Sequence, residues 1–421
     1  MKISFLLHNA YGIGGTITTT FNLAQALAER HKVEIVSVLR HREHPDFVLD
    51  PRVTLRPLVD LRHERHDASH LRPARVFPRA EYRYRQYSEL TDWRIREYLA
   101  GTDADAVIGT RPGLNVHLAL EAPPHVARVG QEHLTLDNHS PRLRSALRRA
   151  YRGLDVLTTV TEADAGAYRR KMRLPRVRVE TLPNSVPDPV LPAADSSAKV
   201  VVAAGRLVPV KRYDLLIEAF AVVAARHPDW KLRIYGKGEE RDRLRQLIAE
   251  LGLFNNVFLM GAAAPMEAEW VKGSIGAATS NFEPFGMTIV EAMRCGLPVV
   301  STDCPYGPGE IIADGVDGRL VPVGDSAALG AALLELVGDD DERRCRGRAA
   351  LENARRFAPG PVVAQAEELL MEAVSARRAG RRFVRSQTRA RHVLVSQSFA
   401  ARDAVITAAG NLRRTVQRGQ R

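Results

Sequence analysis

Two glutamates eight positions apart frame the stretch best equipped for chemistry, Asn281-Phe282-Glu283-Pro284-Phe285-Gly286-Met287-Thr288-Ile289-Val290-Glu291-Ala292-Met293. Glu283 precedes a proline, which disfavours helix, so its carboxylate belongs to a loop. Gly286 permits a tight turn. From Met287 the chain reads as a helix, with Ile289, Val290 and Met293 for packing and Gly296 and Pro298 to end it. One carboxylate then lies just before a helix N-terminus and the other about one turn inside it. The free N–H groups of such a terminus form an anion site. Carboxylates accept from hydroxyls and the terminus donates to phosphate, so a sugar nucleotide is the kind of ligand this stretch suits.

Cations that could meet a diphosphate occur in Ala204-Gly205-Arg206-Leu207-Val208-Pro209-Val210-Lys211-Arg212. A strand is expected to end at Ala204, a loop to carry Arg206, and Lys211 to open the next helix, with Arg212 in solvent. Arginine offers a planar fork and lysine a point charge. Fixed cations lower the barrier as charge develops on a leaving diphosphate. Gly12-Ile13-Gly14-Gly15 follows the first strand and allows close backbone approach to a phosphate or sugar, or is a plain tight turn. No acid ends Val33-Glu34-Ile35-Val36-Ser37-Val38-Leu39, which argues against a dinucleotide site. Gly236 and Gly238 follow another strand and on their own read as a generic turn. His133 follows a strand that ends Gly130-Gln131-Glu132 and, as a lone histidine, reads as structural.

These residues need strand ends and helix starts to hold them. The N-terminal half alternates strands at residues 3–7, 33–38, 105–109 and 155–159 with helices, the first at 19–30. The pattern restarts with strands at 200–204, 231–235, 257–260, 275–279, 299–302 and 319–321, and helices at 212–225, 242–251, 326–337 and 341–356. Short apolar strands alternating with helices imply parallel sheets with crossover helices, an α/β class. Two such Rossmann-like domains facing each other would collect ligands in a cleft at the strand C-terminal ends.

Read as one unit, E-P-F-G-M-T-I-V-E-A-M-R-C-G-L-P-V-V-S-T-D together with G-R-L-x-x-x-K at 205–211 resembles the retaining glycosyltransferases of the large GT4 type, which have the GT-B fold. The resemblance covers residues 1–376. It implies an N-terminal acceptor-side domain at 1–183, a donor domain at 199–364 and a helix returning to the N-domain at 365–376; the Pro-rich polar stretch at 184–198 reads as the linker between them, and the basic tail at 377–421 departs from the family. It implies a hexosyltransferase using a nucleoside-diphosphate sugar, UDP-linked by expectation, with no cofactor and no metal. Its catalytic residues would be Arg206, Lys211, Glu283 and His133. The donor would be bound by Gly14, Gly15, Gly236, Gly238, Met260, Phe285, Gly286, Met287, Thr288 and Glu291, with Glu291 accepting from the ribose. Asp303-Cys304-Pro305-Tyr306-Gly307-Pro308-Gly309-Glu310-Ile311-Ile312 resembles a subset that glycosylates bacterial surface polymers, including teichoic-acid-type chains. The acceptor would then be a glycan, a polymer or a lipid-linked glycan. Two departures are Pro284, where the family often has glycine after the first glutamate, and Arg212, where glycine often follows the lysine. A sugar-nucleotide epimerase and a non-catalytic GT-B scaffold are the alternative readings.

Composition narrows the setting. The chain has 421 residues with 45% hydrophobic and 26% charged side chains, as an ordinary soluble protein has. No run approaches a membrane span, and Ile3-Ser4-Phe5-Leu6-Leu7 is a strand rather than a leader. Cys295, Cys304 and Cys345 show no metal spacing, which fits a cytoplasmic protein. The net charge of +12 is concentrated: residues 375–421 hold twelve arginines and one acid, leaving +1 for residues 1–374. Nucleic-acid binding by the body gets no support from that. The tail is either disordered or an amphipathic anchor to an anionic membrane surface, which would make the protein peripheral on the inner face. Residues 141–154 read as an amphipathic helix with Leu143, Leu147, Ala150 and Leu154 inward and a basic outer face. That face is either solvated or in contact with anionic lipid or a polyphosphate acceptor.

Overall fold

The computed structural model describes residues 1–379. The chain divides into two compact units. The first comprises residues 1–159, 164–181 and 364–379; the second comprises residues 160–163 and 182–363.

Unit 1 is built from β1 (Lys2–Asn9), α1 (Gly15–Leu27), β2 (Lys32–Arg40), β3 (Val53–Asp60), α2 (Glu89–Gly101), β4 (Ala106–Gly109), α3 (Pro112–Glu121), β5 (Ala127–Glu132), α4 (Pro141–Ala150), β6 (Val156–Thr159), α5 (Glu162–Met172) and β7 (Arg178–Thr181). Its sheet is parallel throughout, in the order β3-β2-β1-β4-β5-β6-β7. Phe5 and Leu6 of β1 and Val107 of β4 are buried by helices on both faces, which is why these strands read as unbroken apolar runs. Two strands departed from that pattern and were not expected. β3 carries Arg56 and Pro57, and it tolerates the missing N–H because it is an edge strand. β7 is the opposite edge, four residues long and mostly polar.

Unit 2 follows with β8 (Val200–Ala204), α6 (Tyr213–Arg226), β9 (Lys231–Tyr235), α7 (Arg241–Glu250), β10 (Val257–Gly261), α8 (Glu267–Trp270), β11 (Ile275–Ala278), α9 (Met287–Arg294), β12 (Val299–Thr302), α10 (Gly307–Ile311), β13 (Gly318–Val321), α11 (Ser326–Gly338) and α12 (Asp340–Ala354). The sheet order is β10-β9-β8-β11-β12-β13, again all parallel. Both sheets reverse direction of growth once, between β1 and β4 and between β8 and β11. Such reversal points open a crevice at the strand C-termini where ligands bind.

The last described helix, α13, runs from Pro359 to Arg378 and is longer than the expected 365–376. Its later part packs in unit 1, where Glu367 accepts from His31 (2.9 Å) and Arg377 pairs with Asp155 (2.7 Å). Arg377 and Arg378 are therefore helical, and Arg377 is a buried structural cation rather than the start of a tail. The expectation for the rest of the basic tail lies outside the described residues. Among those residues no helix is long and apolar enough to cross a membrane.

Candidate active site

In unit 2 the loops leaving β8 and β11 meet at the reversal point of the sheet. The β8 loop, residues 205–212, holds a 3-10 turn at Pro209–Lys211, so Lys211 precedes α6 instead of opening it. Thr279 Oγ1 donates to the carbonyls of Lys211 (2.9 Å) and Arg212 (3.0 Å), and the Asn281 N–H donates to the Val210 carbonyl (2.9 Å). The two loops are thereby one body. Across it the Lys211 ammonium pairs with the Glu283 carboxylate, which also accepts from Ser280 Oγ at 2.7 Å. Both side chains are less than a fifth exposed, so the pair is fixed rather than a solvated surface contact. Arg206 is exposed, and its guanidinium holds no partner among the described residues.

Glu283 continues into the helix start that sequence suggested. Gly286 caps α9 with φ 116, in the left-handed region where a side chain would be strained, and no side chain caps the helix. The first N–H groups, at Met287 and Thr288, thus lack a side-chain cap, the arrangement that makes a helix terminus an anion site. Glu291 lies about one turn in. Burial pushes its carboxyl up to about 7, although the Trp270 indole and the Lys211 ammonium pull the other way. The Trp270 ring is almost fully buried, and its Nε1 makes no well-formed hydrogen bond. Lys211, Glu283, the start of α9 and Glu291 are thus contiguous, and Arg206 lies on the same β8 loop.

Other expected residues play different parts. The Phe285 side chain is buried against Phe357 (ring centres 5.5 Å apart), so it anchors the loop and is not itself available to a ligand. A side chain at Gly236 would meet the Gly205 carbonyl oxygen at 1.8 Å, and one at Gly238 the Leu207 carbonyl at 2.1 Å. These glycines are required because two loops touch backbone to backbone. Met260, next to last in β10, is half-exposed. Arg212 is not in solvent: it takes φ 50 and pairs with Asp214 at 3.0 Å. Its left-handed backbone accounts for the glycine the family often has there. Tyr306, at φ 85, bridges to Glu283 and packs edge-on against Phe282. Such a strained conformation persists only where neighbours enforce it. Burial raises the Cys295 and Cys304 thiols to about 12, so neither is a nucleophile.

In unit 1 the reversal point lies between β1 and β4. Gly14 caps α1, its carbonyl accepting from the Ile17 (3.0 Å) and Thr18 (3.1 Å) N–H groups, and Gly15 is the first helical residue, four positions earlier than expected. A side chain at either glycine would meet nothing within 4 Å, so the turn is open. His133 follows β5; burial lowers it to about 4, so it is a neutral imidazole, and its Nε2 has no partner among the described residues. Sequence reasoning missed two neighbours there. Arg111, just past β4, pairs with buried Glu81. His8 at the end of β1 bonds Tyr87 (2.9 Å) and Gln86 (2.8 Å), and burial and the Arg111 charge hold it near 3. A strand-end cation before a helix-starting proline, Arg111-Pro112, was the available signal.

Among the described residues no group of three or more His, Cys, Asp or Glu is placed to hold a metal ion.

Comparison with known proteins gives consistent matches for both halves. Residues 13–188 match the family described as Glycosyltransferase Family 4, and residues 192–353 match Glycosyl transferases group 1. The chain is 36% identical over 407 residues to an exopolysaccharide phosphotransferase of Streptomyces coelicolor, covering 93% of this chain and 43% of that protein. It is 30% identical over 179 residues to a poly(glycerol-phosphate) alpha-glucosyltransferase of Bacillus subtilis, covering 42% of this chain and 27% of that one. The chain thus spans less than half the length of either relative. Among solved structures, S. aureus TarM in complex with fondaparinux, alpha-GlcNAc-glycerol and UDP superposes with a TM-score of 0.71 at 17% identity, covering 88% of this chain and 99% of that one. Anabaena HepE in complex with UDP-glucose gives 0.66 at 21%, covering 88% and 100%. These likenesses show a shared GT-B fold.

Proposed function

The chain belongs to the GT4-type glycosyltransferases, and on that premise we propose that it moves a sugar from a nucleoside-diphosphate sugar to a cell-surface polymer, with retention at the anomeric carbon. The observation that carries this reading is the fixed Lys211–Glu283 pair beside the uncapped start of α9, at the sheet's reversal point. Arg206, Lys211 and the α9 N-terminus would bind the diphosphate. They would meet the charge that develops on it as the bond to the sugar breaks, stabilisation that takes effect in the transition state. Glu283, held by Lys211 and Ser280, would position the donor sugar, and Glu291 would accept from ribose hydroxyls. Within unit 1, neutral His133 and the open Gly14-Gly15 turn would be the ligand-facing groups of that sheet's own reversal point. With two cations and a helix terminus for the diphosphate, no metal is called for.

Relatives support the substrate class: one is named for poly(glycerol-phosphate) glucosylation, and TarM was solved with UDP. A second reading follows from the relative named an exopolysaccharide phosphotransferase. Phosphosugar transfer would break the bond between the two phosphates and release a nucleoside monophosphate, whereas glycosyl transfer breaks the bond from the anomeric carbon to oxygen and releases a diphosphate. Incubation with a panel of nucleotide sugars, following slow hydrolysis, tests the proposal. One donor is expected to yield free sugar and nucleoside diphosphate; turnover of none would refute it.

A further inference from the structure

The acceptor side carries a feature that the donor chemistry does not use. Residues 141–178 hold eleven basic side chains against three acidic ones, a net +8 within a body whose residues 1–374 total +1. The charge is laid out along two helices of unit 1. α4 buries Leu143, Leu147 and Ala150; Arg148 is exposed, and Arg144 shares Asp137 with Lys171 of α5 at 3.2 and 2.7 Å. α4 descends from the carboxyl end of the sheet, where β5 hands over to His133, toward the amino end. There it meets the last turn of α5, the Arg148 guanidinium donating to the Lys171 carbonyl at 2.8 Å.

At that foot lies a groove of about 580 Å³, floored by Leu174, Pro175, Val177 and Val179 and rimmed by Arg152, Arg169 and Arg173. Its size is that of an ordinary small-molecule site. The Arg152 and Arg173 guanidinium groups, and those of Arg170 and Arg176 nearby, hold no hydrogen bond or ion pair among the described residues. Arg173 ends α5 at φ 50, the left-handed position usually taken by glycine. Lysine and arginine rows of this kind meet phosphates, and arginine does so through its fork.

We propose that this basic track, from α4 to the groove at the foot of α5, binds a phosphodiester-bearing polymer, and that it holds repeats of the acceptor remote from the one being glycosylated. The proposal rests on the glycosyltransferase reading above and deepens it by naming the acceptor's charge. A membrane fits less well. Among residues 141–181 no large apolar side chain is exposed, and binding flat on a bilayer relies on apolar insertion as well as charge.

The test is hydrogen exchange on the full chain with inorganic polyphosphate, beside phosphatidylglycerol vesicles and uncharged dextran. Polyphosphate is expected to protect peptides covering 144–178 and dextran to protect none. The Arg152→Ser/Arg173→Ser/Arg176→Ser variant should bind polyphosphate about tenfold more weakly at physiological salt, with a shallower salt dependence, while its hydrolysis of nucleotide sugar is unchanged. Three results would overturn the proposal: protection confined to other segments, equal affinity of variant and parent, or stronger protection of these peptides by vesicles than by polyphosphate. If neither protein turns over a nucleotide sugar yet the protection appears, the donor reading fails and the polymer track stands.

Discussion

Glu291 offers a graded test of the donor site, because its ionisation is set by the fold. Burial raises its carboxyl to about 7, so near neutral pH the unliganded protein holds it about half protonated. Accepting hydrogen bonds from two ribose hydroxyls requires the carboxylate. Donor binding must therefore draw a proton off Glu291 at low pH, and the apparent dissociation constant scales as one plus the ratio of protonated to ionised carboxyl. With a value near 7 that factor is about 11 at pH 6 and about 1.1 at pH 8, so affinity should rise about tenfold across the interval. The nucleoside-diphosphate sugar that the protein turns over is the proper probe, since its diphosphate is esterified at both ends and keeps constant charge over this range. Calorimetric titration at several pH values would read the curve, with Glu291→Gln as the control that flattens it. In the unliganded protein the sign is opposite. A carboxyl whose folded value exceeds its usual 4.5 contributes stability at acid pH that is lost as pH rises through about 7. Affinity that is flat from pH 6 to pH 8, or a slope that survives in Glu291→Gln, would refute the placement of Glu291 at the ribose.

Arg206→Ala or Lys211→Ala should lower kcat by roughly a hundredfold, measured by release of nucleoside diphosphate; a rise in KM with kcat unchanged would remove the leaving-group role. Excess chelator should leave turnover intact, as steady-state assays with and without added Mg²⁺ or Mn²⁺ would show. His117 is fully buried between Asp92 (3.1 Å) and Glu121 (2.7 Å). Burial works against its charge, but the two carboxylates prevail and raise it to about 9. This contribution to stability, up to about 3 kcal/mol, is complete below about pH 6.5 and lost as pH rises through 9. The gap in urea midpoint between the parent and His117→Gln should therefore narrow from pH 6 to pH 9.5, and a constant gap would contradict the charged pair.

Much of this was legible because the buried parallel strands announce themselves. β8, β9 and β12 fall where their apolar runs end, and α9 begins at the glycine that precedes it. Edge strands were harder: β3 hides behind Pro57 and Arg56 because only one of its sides must pair. The short 3-10 turn ahead of α6 has no periodicity to read, so Lys211 was placed in the helix. Within the site, residue types and chemistry could be read from one sequence stretch, whereas contacts could not. The Lys211–Glu283 pair joins positions 72 apart, and it follows only from the strand order that puts β8 beside β11. His8 and Arg111 are likewise brought together by β1 and β4 being neighbours. Glycine was legible as a turn at Gly236, but its reason, contact with the Gly205 carbonyl, belongs to a loop 31 residues earlier.

The most direct measurement follows one turnover of the accepted nucleotide sugar on a polymeric acceptor by NMR, reading both the released nucleotide and the anomeric proton of the product. The account predicts a nucleoside diphosphate and a sugar linkage with the anomeric configuration of the donor. A nucleoside monophosphate would reassign the chain to phosphosugar transfer, and an inverted anomeric centre would contradict the retaining mechanism built on Lys211, Glu283 and the start of α9.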